Sequence, residues 1–439
     1  MRLLFLALLF VNAYAIDLTK IPKLSDLINP FQQFKLRDIL SSITELETPD
    51  VAAVTAKSRS SLVAAMTFWE KNTCVTFRKR TDEEVYLLMS GAEEGCWSTV
   101  GRDEEQKAQI LNIGVGCEMF GITSHELAHA LGLFHEQSRY DRNNYVQIVK
   151  SRIAQKNFYD FAVVGMKNMD TYGQKYDIGS VMHYRPTEFS IDGGNTIIAK
   201  DINMQNTMGQ FRGPSFLDVA KINRHYDCAV NCKNKIKCPP GYGGKDCTGI
   251  EASNPAKCNG VLVAGETQRK FTINMKPKNV VNGVRKCNYH IQAPPGKRIV
   301  VIVDSVIGNC VQGCYEEGVE LKMYDDKTVT GARFCCKLQK PQTLISQGNT
   351  VPVMLVAGKA QSFVQLRYST VDHPQNRSPK DGNATSTSVN PLLLEKYLDD
   401  FIDSEAIRRE FLIQSDNVDR EDFETLVRRE FMDENSIEI

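Results

Sequence analysis

The stretch HELAHALGLFHEQSRYDR, His125 to Arg142, decides how this chain is read. His125 and His129 are four residues apart, so on a helix their imidazoles leave one face and can share a metal ion. Glu126 follows the first of them and is placed to take a proton from water at that metal rather than to bind the metal itself. Gly132 permits the left-handed turn that ends a helix over Ile122 to Leu131 and swings the chain back. His135 can then supply a third ligand. Three neutral imidazoles leave zinc a net positive charge and an open position, as a hydrolytic site needs, so one zinc per chain is expected. A lone histidine on a helix is ordinarily just a satisfied polar residue, and HExxH alone recurs in unrelated proteins. HExxHxxGxxHE is far more specific, and three of the chain's seven histidines fall within these eleven positions.

The surrounding chain has 439 residues, enough for two or three domains. Its 53 basic side chains balance 53 acidic ones, so bulk charge calls for neither nucleic acid nor a membrane surface as partner. Residues 1–15 read as a signal peptide: Arg2, the apolar run Leu3 to Val11, then Ala13-Tyr14-Ala15 as a cleavage site. No later stretch approaches 18 apolar residues, so no membrane span is expected and the protein is placed outside the cell. Thirteen cysteines between Cys74 and Cys336 fit an oxidising compartment, and their odd number leaves one over.

Residues 16–57 are polar and cysteine-free, a pro-segment or N-terminal arm. From Ser58, the spacing of Leu62, Ala65, Met66 and Trp69 predicts a helix with one buried face. Residues 74–118 read as short strands and turns, including Val85 to Met89; a helix is expected within 144–165; residues 176–228 read as turn-rich. A cysteine-dense piece covers 229–249. Across 258–370, alternating runs such as Ile299 to Val303 and Val353 to Val356, with turn residues between, predict an all-β sandwich. Residues 371–439 open as a linker with glycosylation sequons at Asn376 and Asn383. Residues 391–439 carry 15 acidic and 6 basic side chains and a repeat, Arg408 to Phe411 and Arg428 to Phe431. Short amphipathic helices account for it most simply; a partner-binding tail and dibasic processing at Arg408-Arg409 are the alternatives.

HELAHALGLFHE, followed by Arg139-Tyr140-Asp141-Arg142 and, downstream, by Ser180-Val181-Met182-His183-Tyr184, closely resembles the astacin family of metalloendopeptidases, a branch of the metzincins. The resemblance covers about residues 60–228, through Thr73 to Phe77, Gly95 to Gly101, Gly116-Cys117, Met208 to Gln210 and Ser215 to Cys228. It implies an α+β metzincin catalytic domain over 58–228. It implies that Met182 forms an apolar floor beneath the zinc, and that Tyr184 is a displaceable ligand which stabilises the oxyanion. It also implies that Glu136 is buried against the N-terminal amine of the mature enzyme, and that Cys74 pairs with Cys228 and Cys96 with Cys117. CPPGYGGKDC resembles the last loop of an EGF-like module, with Cys238 joined to Cys247; the module is truncated, leaving Cys232 as the odd cysteine. Residues 258–370 resemble a CUB domain, which would pair Cys258 with Cys287, and Cys310 and Cys314 with Cys335 and Cys336 in an order left open. No calcium site is expected there.

The upstream segment departs from that pattern. Where the family carries Gly-Asp in its pro-segment, this chain has Arg37-Asp38 within FKLRDIL, and the expected Trp-Pro strand is missing. The N-terminal sheet is therefore expected to be short of one strand, and Glu136 either takes its cation from another segment or leaves the site less ordered. The expected function is a secreted zinc endopeptidase acting on extracellular proteins, with matrix or cuticle proteins as targets by family habit. The competing reading is an inactive extracellular binding protein working through the CUB-like domain; only the missing strand favours it. An unrelated hydrolase of small molecules is disfavoured by His135 and by the Met182 segment.

Overall fold

The computed structural model describes residues 13–15, 54–103, 105–228, 238–276, 285–358 and 360–372. Arg37-Asp38, Cys232, both sequons and the acidic tail lie outside these residues. So does the segment read as signal peptide and arm, apart from β1 (Ala13–Ala15) and residues 54–57.

Helix α1 (Ala56–Asn72) starts two residues before Ser58 because Thr55 caps it, its hydroxyl accepting from the Ser58 N–H at 3.1 Å. Leu62, Ala65, Met66 and Trp69 face the core, as their spacing requires. The sheet beside it contains β2 (Arg78–Lys79), β3 (Tyr86–Ser90), β4 (Cys96–Ser98) and β5 (Ala108–Ile113). Its order is β2-β1-β3-β5-β4, so a strand does stand between β2 and β3, drawn from inside the segment read as a signal peptide. Helix α2 (Phe120–Ala130) packs on α1, where Ser61 and Thr123 share a 2.7 Å hydrogen bond and Trp69 donates to the Ser124 carbonyl at 3.3 Å.

Two expectations fail beyond α2. Residues 144–165 hold no α-helix. Instead β6 (Val146–Ile148) pairs with β7 (Ile197–Ala199), and three short 3-10 turns follow between Lys150 and Phe161. Val146, Ile148, Val149 and Ile153 are β-branched, and a partner strand some fifty residues away decides the conformation. Conversely, the turn-rich 176–228 ends in helix α3 (Phe216–His225), started by a full capping box between Ser215 and Asp218.

A hairpin, β8 (Tyr242–Gly243) with β9 (Gly249–Ile250), leads to a β-sandwich. One of its sheets orders β10 (Asn259–Val263), β12 (Arg285–Gln292), β17 (Thr350–Ala357), β14 (Gly318–Leu321) and β15 (Ala332–Phe334). The other orders β11 (Arg269–Met275), β18 (Ser362–Asp372), β13 (Lys297–Ile307) and β16 (Gln342–Ile345). Alternate residues Ile299, Val301 and Val303 meet Val351, Val353 and Leu355 in one core. Among the described residues six disulfides form: Cys74–Cys228, Cys96–Cys117, Cys238–Cys247, Cys258–Cys287, Cys310–Cys336 and Cys314–Cys335. The first closes a loop of 154 residues around the catalytic domain, the longest restriction of the unfolded chain among them.

Candidate active site

Helix α2 buries Leu127 and Ala128 and turns His125, Glu126 and His129 to the opposite side. Gly132, at φ +100°, reverses the chain, and a side chain there would be strained. The Leu133 N–H returns to the Ala128 carbonyl at 2.9 Å, which brings His135 back over the helix. The Nε2 atom of His135 lies 3.2 Å from that of His125 and 3.1 Å from that of His129.

These distances test the site for zinc. Tetrahedral Zn–N bonds of about 2.0–2.1 Å require ligand nitrogens roughly 3.3 Å apart. The other nitrogens fix the tautomer: His125 Nδ1–H donates to the Val181 carbonyl and His129 Nδ1–H to the Leu133 carbonyl, each at 2.7 Å. The Nε2 lone pairs are thereby left to converge, and lone pairs this close repel unless a cation stands between them. Burial holds all three imidazoles below their ordinary pKa, that of His129 down to about 3, with mutual repulsion adding to the effect for His129 and His135. They are therefore neutral ligands at physiological pH. No other group of three or more histidine, cysteine or carboxylate side chains among the described residues has ligand geometry.

Glu126 is buried, and burial alone pushes its carboxyl up to about 8; a nearby dication would favour the carboxylate. Tyr184 stands with its ring 4.5 Å from that of His135, flanked by Phe161 and Phe189 at 5.7 Å each. Burial raises its phenol pKa, and the charges of Asp160, Glu188 and Glu126 add to the effect. Met182 is buried in the core that holds Leu127 and Leu131.

The family model of astacin, a family of peptidases, matches residues 51–227. The chain is 67% identical to the zinc metalloproteinase nas-23 of Caenorhabditis elegans, across 100% of both chains.

The chain belongs to the astacin family.

It is 43% identical to the zinc metalloproteinase nas-29 of the same species, over 73% of this chain and 63% of that one. Among solved structures, high choriolytic enzyme 1, a hatching enzyme zinc-protease of the medaka Oryzias latipes, is 34% identical over 40% of this chain and 84% of its own, with a TM-score of 0.37. This astacin is a zinc metalloendopeptidase with one zinc as its cofactor, and His125, His129 and His135 fit that ion. Among its described residues no helix is long and apolar enough to cross a membrane.

The cation facing Glu136 comes from inside the domain. Lys221 of α3 bonds Oε2, Arg139 donates to Oε1 at 3.2 Å, and the Asp177 N–H donates to Oε1 at 2.9 Å. Burial pushes this carboxyl up, but the two cations and these hydrogen bonds outweigh it and hold Glu136 below the usual range. Neither Lys221 nor Asp177 was singled out from sequence. Nor was Asp218, whose Oδ2 accepts from the Val181 N–H at 3.0 Å and from the Ser215 N–H at 2.8 Å. Its capping-box position was the available signal; Lys221 offered none.

Proposed function

We propose that this astacin is secreted and cleaves extracellular proteins, matrix or cuticle proteins among them, with Glu126 as general base and acid. The observation that carries the reading is the convergence of the Nε2 atoms of His125, His129 and His135, the first two with tautomers fixed by backbone carbonyls, with Glu126 next to His125 on α2. Zinc, when bound, supplies a Lewis acid that brings the pKa of water to about 7 and polarises the scissile carbonyl. Glu126 takes the proton from the attacking water and delivers it to the amine nitrogen as the C–N bond breaks. Tyr184, kept protonated by its raised pKa, donates its hydroxyl hydrogen to the oxygen that gains charge. Met182 closes the floor, and His125, His129 and His135 hold the ion. The sandwich is read as a CUB-like module and the 238–250 hairpin as the remnant of an EGF-like one, with glycans at Asn376 and Asn383. The binding-protein alternative is not favoured, because every ligand, the base and Tyr184 are kept.

The test uses the full chain collected from culture medium, with and without trypsin treatment to remove any latent pro-segment. Casein is expected to be cut internally, chelation to abolish cleavage, and about one equivalent of zinc to restore it. Cleavage unaffected by chelation, or hydrolysis of small esters alone, would remove the endopeptidase reading.

A further inference from the structure

The segment Asp177 to Tyr184 carries Met182 and Tyr184, and nearly every residue in it is tied down. Val181 is held by His125 and Asp218, the Met182 carbonyl accepts from the Glu136 N–H at 2.9 Å, and the Tyr184 N–H donates to Gln137 at 3.0 Å. The first anchor is different, because it comes from the β-sandwich. Asp177 is fully buried, and its Oδ1 accepts from the Thr330 N–H at 3.1 Å while its Oδ2 accepts from the Thr330 hydroxyl at 3.1 Å. Thr330 sits on the connection between β14 and β15.

The approach is close on both sides. A Cβ on Gly179 would stand 2.3 Å from the Thr330 methyl, and a Cβ on Gly313 would stand 2.5 Å from the Gln210 backbone. Around this clamp Thr207 is fully buried; its hydroxyl donates to the Gly331 carbonyl at 3.2 Å and accepts from the Arg333 N–H at 3.0 Å. Met204 and Met208 share one apolar core with Ala332 and Phe334. A tethered recognition module would not need glycine-to-backbone contact, a shared core and a two-point hydrogen bond to a buried carboxylate.

We propose that the β-sandwich is part of the catalytic machinery's scaffold, and that Thr330 is a positioning residue: through Asp177 it sets the segment that presents Tyr184. The Tyr184 part of this rests on the oxyanion role proposed above. Asp177 also links the clamp to Glu136: its carboxylate holds Thr330 while its backbone N–H donates to Glu136, the residue after His135.

The test uses the full chain with Thr330→Val, which loses the hydroxyl at nearly constant shape, Thr330→Ser, which keeps it, Tyr184→Phe, and the double variant. Thr330→Val is expected to keep one zinc and a KM within about twofold, and to lose about three- to tenfold in kcat. Thr330→Ser is expected to stay within about twofold of wild type in both constants. In the Tyr184→Phe background, Thr330→Val is expected to cost little more, since both act through one group. Unchanged kcat in Thr330→Val, losses that simply multiply in the double variant, or a loss that tracks missing zinc or unfolded protein would each overturn the proposal. A fully active Tyr184→Phe enzyme would sink the oxyanion role instead, and the Thr330→Val kcat would still decide whether the sandwich positions the segment.

Discussion

Two buried polar clusters meet at the adjacent residues His135 and Glu136, and they are built on opposite principles. In the first, His125, His129 and His135 bring three neutral nitrogens together, with backbone carbonyls holding the far nitrogens of His125 and His129, so the cluster is complete only with a cation from outside. In the second, Glu136 meets Lys221, Arg139 and a backbone N–H, so its charge is balanced within the protein. The first cluster is built for exchange with solvent and substrate, and the second for permanence. The difference also answers the question raised by the absent Trp-Pro sequence: Glu136 has a cation whether or not a new chain terminus reaches it.

The most severe way to break the comparison is His129→Ala. It is expected to lose zinc from the folded protein and proteolysis below detection, read as metal content and casein cleavage. A variant that kept both would show that the triad does not hold the ion. Lys221→Met comes next. Removing one partner of a buried pair costs about 3–5 kcal/mol, here toward the lower end because Arg139 remains, and chemical denaturation should show it. Adding Glu136→Gln should recover much of the loss, because the amide oxygen still accepts from the Asp177 N–H. No recovery would mean that the cluster is not organised around that charge.

A graded effect is expected in pH, and it separates the clusters by window. The three imidazoles have folded pKa values below 6.5, so beneath that pH the unfolded chain takes up protons that the folded chain refuses. Chelated protein should therefore lose stability as pH falls from about 6.5, at up to about 1.4 kcal/mol per unit for each histidine. Glu136, held below its ordinary value of 4.5, stabilises the fold above that pH and gives up its contribution only as pH drops further. Melting of chelated protein between pH 7 and 4 would show a single late loss if only the carboxylate cluster mattered.

The histidine cluster was legible in sequence because all its ligands lie within eleven residues and its turn is marked by a glycine. The partners of Glu136 were not, since Lys221 lies 85 residues away and reads as an ordinary polar position on α3. The same limit explains both misread elements. The strand at Val146–Ile148 is decided by pairing with Ile197–Ala199, and α3 was announced only by the Ser215–Asp218 box. In the sandwich, alternation gave the architecture. Spacing could not order Cys310 and Cys314 against the adjacent Cys335 and Cys336, whose sulfurs lie only 3.8 Å apart. The Thr330–Asp177 clamp joins loops 153 residues apart, and no local pattern marks it.

The central claim is that Glu126 does chemistry at an ion held by its neighbours and not by itself. The most direct measurement is steady-state peptide hydrolysis by wild type and Glu126→Gln at matched, measured zinc content. The account predicts about one zinc in each and a fall in kcat of about 10²–10⁴ or more in the variant, with KM little changed. A variant that cleaves at the wild-type rate with its zinc in place would contradict it.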